Sequence, residues 1–502
     1  MSTTTIVVDP LTRIEGHLRI ELDVTGNTVS AARSSGTSFR GIENVMRNRD
    51  PRDAPMITQR VCGVCPIPHS RAASEAFENA AQNAGMPIVV NQQAILIRNI
   101  VQAANFIDSH LLHFYLMSLP DFIAGMPTAG AWPQGTDPKP WKGGETLNAK
   151  TFAANVPVAL QTRRACVAIT VMLAGKMPHA MGIVPGGATV TVTSNPDMIA
   201  ALNAQIAIIS SFVNGQYAAD LGALVDAFPE YTNIGVTGCS LLCYGAFPDG
   251  QGNQLFPRGL LAPGATTPAP FTSSQIVESV KSSRYVPSSL YTPSEGESPA
   301  TVDPSDTVPS LDRTDAYSWV KSARLVDASG VPQPCEVGPL ARAVFTGRDP
   351  GSRGVWARHL ARQTECVLLA QAIQTWISQL TPDATALPPG NFPTPASMKA
   401  LVDSQGGQPV LGEALIESTR GTLGHWLAIG AAPTPTADQP VGVAHYGIVT
   451  PTTWNASPRD DAGTPGPLEQ ALKGLELADP TSPIEALRVA HSFDPCLQCA
   501  VH

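Results

Sequence analysis

The sequence predicts an α+β protein, mainly α-helical, with a central bundle of long helices and peripheral β-structure, and three observations carry that prediction. Apolar residues recur at three- and four-residue spacing over long stretches near 91–119, 157–175, 194–225, 355–381 and 466–491. The first forty residues instead alternate apolar and polar positions, the period of a half-buried strand. No segment repeats at a fixed period, which excludes a solenoid.

Taken in order, Leu18, Ile20, Leu22 and Val24 line one face of a strand that meets a Gly26-Asn27 turn and returns at Val29, a hairpin. From Asn91 to Leu119, Ile95, Ile97, Ile100, Val101, Ala104, Ile107 and Leu111 fall on one face of a long helix. The longest clean apolar run, Ala165 to Gly175, lies between Arg164 and Lys176 and is shorter than the ~18–20 residues a bilayer requires, so it reads as a core helix. The start, MSTTTIVVDPLTRIEG, has neither a basic region nor an apolar stretch of signal-peptide length. The expectation is therefore a chain with no targeting or membrane-spanning segment of its own, cytoplasmic or peripherally membrane-associated. Between 257 and 312 the composition turns to Pro, Ser and Thr, but Phe271, Tyr285 and Tyr291 are retained, which marks an ordered surface excursion and not a linker. Length alone would allow three domains of ~150 residues. The long helices scattered through the chain favour a single domain over 1–502.

The 502 residues include 32 basic and 41 acidic side chains, a formal net charge of −9, which argues against nucleic-acid binding by phosphate neutralisation. Charged residues are 15% of the chain, against roughly 25% in an average soluble domain, so much of the surface is expected to face protein. Nine cysteines, an odd number with no secretory segment, point to thiol or metal chemistry rather than a disulfide framework. Four of them form two C-x-x-C pairs at opposite ends of the chain, Cys62/Cys65 and Cys496/Cys499. Each such turn converges two thiolates, and two turns make a four-sulfur site. Small zinc modules keep their pairs about 12–20 residues apart, because the metal is the core of a short fold. Pairs this far apart place a metal inside a finished large fold and close the chain ends on each other; structural zinc stays open as a second occupant. Haem attachment needs C-x-x-C-H, and Ala500 and Val501 separate Cys499 from His502. A redox dithiol would open a helix in a βαβ unit, which Pro66 and Pro68 do not suit.

Together the stretches Arg60-Val-Cys-Gly-Val-Cys65 and Asp494-Pro-Cys-Leu-Gln-Cys-Ala-Val-His502 resemble the two signature motifs of the large, catalytic subunit of nickel-iron hydrogenases. Arg13-Ile-Glu-Gly-His17, Phe39-Arg-Gly-Ile-Glu43, His110 to Tyr115, Arg420-Gly421 and Pro451-Thr-Thr-Trp-Asn455 extend the resemblance, in order, over the whole chain. It implies the large-subunit fold and heterolytic cleavage of H2 to protons and electrons. It also implies a nickel-iron centre whose iron carries carbon monoxide and cyanide, with Cys62 and Cys496 as terminal nickel ligands and Cys65 and Cys499 as bridges. Arg420 matches the arginine over the open metal positions, Asp494 and Asp121 the carboxylates that orient it, and Glu15 the relay that takes a proton from a nickel-bound cysteine, here Cys499. Thr452 matches a hydroxyl that bonds an iron cyanide, and His69 sits beside a bridging sulfur. Glu43, His502 and the main-chain carbonyl near Ile448 match a magnesium site. One position departs: Thr419 stands where the family usually has Pro.

No further cysteine cluster is available for iron-sulfur centres, so the resemblance implies an iron-sulfur small subunit, H2 as substrate, a quinone reached through the complex, and an oligomer of heterodimers. The wording CGVCPIPH is closer to uptake groups, including actinobacterial enzymes that scavenge trace hydrogen. Ending at His502 fits either a processed mature form or a natural sensor type. The alternatives are therefore a regulatory hydrogen sensor that signals to a kinase, a zinc-stapled protein, and the respiratory-complex relative that has lost the cysteines, against which all four cysteines weigh.

Overall fold

The computed structural model describes residues 2–123, 147–190, 196–285, 309–382 and 384–502. Its main elements are strands β1 (Thr3–Leu11), β2 (Leu18–Thr25) and β3 (Thr28–Gly36), helices α1 (Pro66–Asn83), α2 (Gln92–Leu112), α3 (Ala149–Ala174), α4 (Pro196–Asn214), α5 (Gln216–Ala227) and α6 (Val355–Gln379), strands β4 (Val410–Ser418), β5 (Gly421–Ala431) and β6 (Val441–Val449), and short helices α7 (Pro451–Asn455), α8 (Pro467–Leu472) and α9 (Ile484–Ser492). Helix α2 packs on α3 and α6, and α4 closes the ring by packing on both of those. This four-helix bundle surrounds a core in which Ile97, Ile100, Val101, Ala104, Ile107 and Leu111 are all buried.

Most of α2 is buried all round, not on one face. Its polar residues look outward in the sequence pattern because they are paired inside: Arg98 donates to Glu78 at 2.6 and 3.1 Å, and His110 meets Glu365 at 2.9 Å. Beyond Leu112 the helix widens into a π turn over His113–Ser118 and then tightens over Leu119–Asp121, where Pro120 ends it. The predicted 157–175 helix begins earlier, at Ala149, where the Asn148 side chain caps the Lys150 N–H. The 194–225 stretch breaks at Gly215 into α4 and α5. The 466–491 stretch is two short helices, because Gly474, Pro480 and Pro483 interrupt it. Within α3, Ala165, Cys166, Ile169 and Leu173 are buried while Val158, Leu160 and Val171 are exposed. By length and composition Ala149–Ala174 and Asp197–Ala227 are apolar enough to cross a membrane, and only 39% and 28% of their most apolar windows is buried.

Two elements escaped the sequence reading. Helix α1 starts directly after Cys65, so the first C-x-x-C does open a helix: Pro66 occupies the first helical position, where a missing N–H costs nothing. The antiparallel sheet β4-β5-β6 escaped because β5 is buried on both faces, except at Ala431, and therefore lacks alternation. Helix α1 lies close on β4: a Cβ at Gly412 would stand 2.1 Å from the Ala76 carbonyl oxygen, so only glycine admits the contact. The Asn79 and Asn83 amides donate to the outward carbonyls of Glu413 and Leu411 on the edge of β4, at 2.7 and 2.9 Å. The core between α1 and this sheet includes Cys62, Cys65, Cys496 and Cys499.

The hairpin lies where predicted, β2 pairing with β3 around Gly26-Asn27, with β1 on the other side of β2. In the Pro/Ser/Thr-rich segment, Gly259–Leu261 pairs with Ser240–Cys243, Ile276–Ser279 pairs with Ser322–Val326, and Phe271 and Tyr285 are buried. Tyr291 lies outside the described residues.

On α8, Glu469 is buried and accepts hydrogen bonds from the Ser34 N–H at 2.9 Å and the Tyr317 hydroxyl at 2.8 Å. Burial outweighs these bonds and pushes its carboxyl from the ordinary 4.5 up to about 7. The folded chain holds this proton after the unfolded chain has lost it, so stability falls as pH rises between those two values and is flat above them. Glu469→Gln is expected to remove that part of the slope, measured by denaturant unfolding of the purified protein at pH 5 and pH 7.5.

Candidate metal centre

Each C-x-x-C turn leads into a helix, the first capped by Cys65 and the second by Cys496. Cys62 leaves a tight turn, Gln59–Val61, in extended conformation, and the N–H groups of Val64 and Cys65 donate to its sulfur, both at 3.3 Å. Cys496 likewise precedes a helical turn, Leu497–Ala500; its N–H donates to the Thr452 Oγ1 at 3.0 Å. Arg40 clamps the two turns together, with its Nη1 donating to the carbonyls of Val61 at 2.5 Å and Gln498 at 3.0 Å. Residues 62 and 496 place their sulfurs 3.5 Å apart, as do 65 and 499, and Cys496 and Cys499 stand at 2.9 Å. All four sulfurs lie within 4.8 Å of one another and all four residues are buried.

Four buried thiols cannot all ionise without a cation. Burial raises the Cys62 thiol, but bonds from Cys496, Cys499 and Cys65 and the charge of Arg420 outweigh it and bring it well below its usual value. With that charge in place, burial and the neighbouring sulfurs push Cys496 and Cys499 well above theirs. A soft metal centre resolves this, since coordinated thiols deprotonate outright. The donor set is all sulfur and fits nickel and iron.

Arg420 is 2% exposed and its charge acts on Cys496, Cys65 and Cys62; its Nε donates to the Asp494 carbonyl oxygen at 3.0 Å and forms an ion pair with the Asp494 carboxylate at the same distance. Its two terminal nitrogens are buried and make no hydrogen bond, so two N–H edges are free. Asp494 is held in a left-handed conformation at φ 54°, a strain that aims it at the arginine. The Thr419 hydroxyl is also buried and unpartnered, while its carbonyl accepts from Arg342 at 2.9 Å. The expectation that Asp121 orients Arg420 needs correction. Asp121 bonds Arg13 and His491, the latter at 2.5 Å, because the π turn ahead of it carries it toward α9. Burial raises its carboxyl, but Arg13 and the bond to His491 outweigh burial and hold it at about 2.

Glu15 forms a backbone β-bridge with Cys496, and its carbonyl accepts from Leu497 at 2.7 Å. Burial and then the Cys62 charge raise its carboxyl above the ordinary value. His69 lies one helical turn after Cys65, with Nδ1 3.1 Å from His425 Nε2 and with its own Nε2 buried and unpartnered. Thr452 is in helix α7.

Glu43 and His502 meet at 3.5 Å. The His502 Nδ1 donates to the Cys499 carbonyl at 2.5 Å, and its Nε2 faces Glu43. Glu43 Oε1 accepts the Ile448 N–H at 2.8 Å, and in an antiparallel strand the carbonyl of that residue lies on the same edge. These donors fit a hard divalent cation. Lys321 shares the cluster, 3.1 Å from Glu43 and 3.3 Å from Glu278. Burial raises the Glu43 carboxyl, but the Lys321 ammonium and then His502 outweigh it and hold the group well below its usual range. Sequence reasoning missed Arg40, Lys321 and Glu278, whose partners are remote in the chain; only the position of Arg40 beside Glu43 in a matched motif hinted at a role. The other five cysteines behave as small apolar residues: burial raises the thiols of Cys166, Cys243, Cys335 and Cys366, and that of Cys239 to about 12.

A family model described as nickel-dependent hydrogenase matches residues 40–139, 151–353 and 348–502, and one described as HoxL-like matches 5–39. The chain is 32% identical to the periplasmic [NiFeSe] hydrogenase large subunit of Desulfomicrobium baculatum over 99% of this chain and 94% of that one. It is 28% identical to the quinone-reactive Ni/Fe-hydrogenase large chain of Wolinella succinogenes, over 100% and 96%. The solved structure of the Ni-Fe-Se hydrogenase from D. vulgaris Hildenborough in the reduced state superposes with a TM-score of 0.84 at 31% identity, covering all of both chains. A four-sulfur site closed by the two ends of one chain, on a large-subunit hydrogenase fold, identifies the chain as a member of the nickel-dependent hydrogenase family.

Proposed function

We propose that this chain is the catalytic subunit of a nickel-iron hydrogenase that oxidises H2 in the uptake direction, as trace-hydrogen-scavenging actinobacterial groups do. One observation carries this reading: four buried sulfurs within 4.8 Å of one another lie beneath a buried arginine with two free N–H edges. When bound, the nickel-iron centre, its iron carrying carbon monoxide and cyanide, supplies the redox-active Lewis acid that polarises H2. The protein supplies the rest. Cys62 and Cys496 would hold nickel, with Cys65 and Cys499 as further ligands of the centre. Arg420, fixed by Asp494, directs its free N–H edges over the reacting position in a dry pocket. Asp121 acts one step removed, by holding Arg13 and His491. Glu15, whose carboxyl is raised by burial and by the Cys62 charge, accepts the proton from Cys499 and passes it outward. Thr452 accepts from the Cys496 N–H, which frees its hydroxyl hydrogen for an iron cyanide. Glu43, His502 and the Ile448 carbonyl would hold Mg2+.

Two electrons leave with each H2, and among the described residues the four cysteines are the only metal-holding group of its kind. The acceptor is therefore an iron-sulfur small subunit, with a quinone beyond it, in an oligomer of such heterodimers placed in the cytoplasm or at a membrane surface. The relatives above are named as hydrogenases, which favours turnover over sensing.

Metal analysis of the purified complex is expected to give one nickel per chain, iron in excess of nickel because the small subunit carries iron-sulfur clusters, and no zinc; one zinc per chain and no nickel would sink the assignment. Cys62→Ser or Cys496→Ser is expected to lose nickel, because a hard hydroxyl replaces a soft thiolate poorly. Glu15→Gln keeps the shape but cannot relay a proton. Metal content and infrared bands are expected to persist while turnover and hydrogen-deuterium exchange fall by about 10²–10⁴-fold, and near-normal rates would remove Glu15 from the path.

A further inference from the structure

Arg420 stands at the tip of a hairpin, ordinarily the least fixed part of a sheet. Strands β4 and β5 close through the pair Ser418 and Gly421, so Thr419 and Arg420 are the two turn residues between them. The Arg420 side chain has one anchor, Asp494, which acts on Nε, and its terminal nitrogens make no hydrogen bond. A guanidinium with one side-chain anchor is placed mainly by its backbone. That backbone is gripped from outside the sheet.

Side chains take the carbonyls before Arg420 one after another. Gln102 of α2 donates to the Glu417 carbonyl at 2.7 Å. Arg342, on the short helix Pro339–Phe345, donates to the Ser418 carbonyl through Nη1 at 3.1 Å and to the Thr419 carbonyl through Nη2 at 2.9 Å. The carbonyl of Arg420 itself packs on Gly338 at the start of the same helix, where a Cβ would stand 2.6 Å from the oxygen. Arg342 is held as firmly as it holds. Its Nε and Nη2 bind the two oxygens of Glu365 on α6, each at 2.8 Å, and its Nη1 binds Glu417 Oε2 at 2.6 Å. Together with the two carbonyls these bonds use all five N–H groups of the guanidinium. The carboxylates are fixed in turn: His110 Nε2 meets Glu365 Oε1 at 2.9 Å, and the Tyr244 N–H donates to Glu417 Oε1 at 2.8 Å. Every residue of this network is buried.

Stability does not account for so many interior charges, since a buried ion network roughly breaks even against an apolar core of the same volume. Geometry does. A planar fork with five donors binds two carboxylates and two successive carbonyls at once, whereas the three donors of a lysine ammonium spread from a single point. We infer that Arg342 is a positioning residue: it fixes the backbone turn on which Arg420 stands, and thereby the place of the Arg420 fork at the metal centre. The inference rests on the nickel-iron reading for what Arg420 does, and on the bonds above for how it is held.

Arg342→Lys keeps a charge between Glu365 and Glu417 but gives up the fork. In the purified complex with nickel content unchanged, H2 turnover is expected to fall by about 10²-fold, the scale of a displacement of about 1 Å at a reacting position. The backbone amides of residues 418–422 are expected to exchange faster with deuterated water, read by mass spectrometry. A role confined to stability would not act through Arg420, so a double-mutant cycle decides between the two. On top of Arg420→Met, where no fork is left to place, Arg342→Lys is expected to cost at most about twofold more turnover. Losses that multiply overturn the inference, and so does a metal-loaded Arg342→Lys complex with wild-type turnover. If Arg342→Lys does not load metal, Glu365→Gln carries the same expectation, because the amide accepts from one of the two N–H groups and turns its own donor against the other. The exchange measurement needs no metal: amides of 418–422 as protected as in the wild type in both variants overturn the inference at any metal content. A wild-type complex with neither nickel nor H2 turnover fails the nickel-iron reading instead.

Discussion

Negative charge concentrated in a buried site is the constraint on which this structure depends. Four sulfurs within 4.8 Å would repel one another once ionised, and the fold answers with cations and donors placed around them before any metal is considered. Arg420 lies over the cluster, Arg40 ties the two turns together through their carbonyls, and the Cys62 sulfur accepts two main-chain N–H groups. Each of these groups reaches the site from a different part of the chain, which is why the sheet, the bundle and the N-terminal hairpin converge there. The energetic logic is that of pre-organisation: the polar surroundings are fixed by folding and need not rearrange when charge moves.

The same logic extends outward. Asp494 fixes Arg420, and Arg342 reaches Glu365, Glu417 and the carbonyl of Thr419, so the segment just before Arg420 is held by a buried ion-pair network. Breaking one partner of such a network leaves an uncompensated buried charge, a cost of about 3–5 kcal/mol, whereas the intact network contributes little net stability. Its use is placement. Thr419 differs from the usual proline, yet the carbonyl of Thr419 remains bonded to Arg342, so the backbone position is secured by a neighbour and does not depend on the ring.

The sequence made legible whatever is local. The hairpin could be read from alternation and a Gly26-Asn27 turn, α2 and α6 from apolar spacing, and the metal centre from two paired turns of thiols. What escaped was either buried on every side or made across long distances. β5 carries no alternating pattern because both its faces are covered, and α1 was hidden by two prolines that in fact begin it. The partners of Asp121 could not be foreseen, since Arg13 and His491 reach it from opposite ends of the chain. Glu15 was legible from its motif but its backbone pairing was not: a β-bridge sets it against Cys496, and no spacing encodes a bridge between residues so far apart.

The closure of the site by the two ends of the chain has a consequence for the order of synthesis. Cys62 and Cys65 leave the ribosome early and Cys496 and Cys499 last of the four, after the whole bundle and the sheet that flanks them. Until then the first pair faces a half-built cavity with Arg40 lacking its second carbonyl partner on Gln498. A nascent chain therefore cannot present the four-sulfur site while it is being made, and metal that entered at that stage would meet only two thiols. Folding has to leave the last segment free to enter late, so that docking residues 496–499 is the step that turns an open protein into a sealed one.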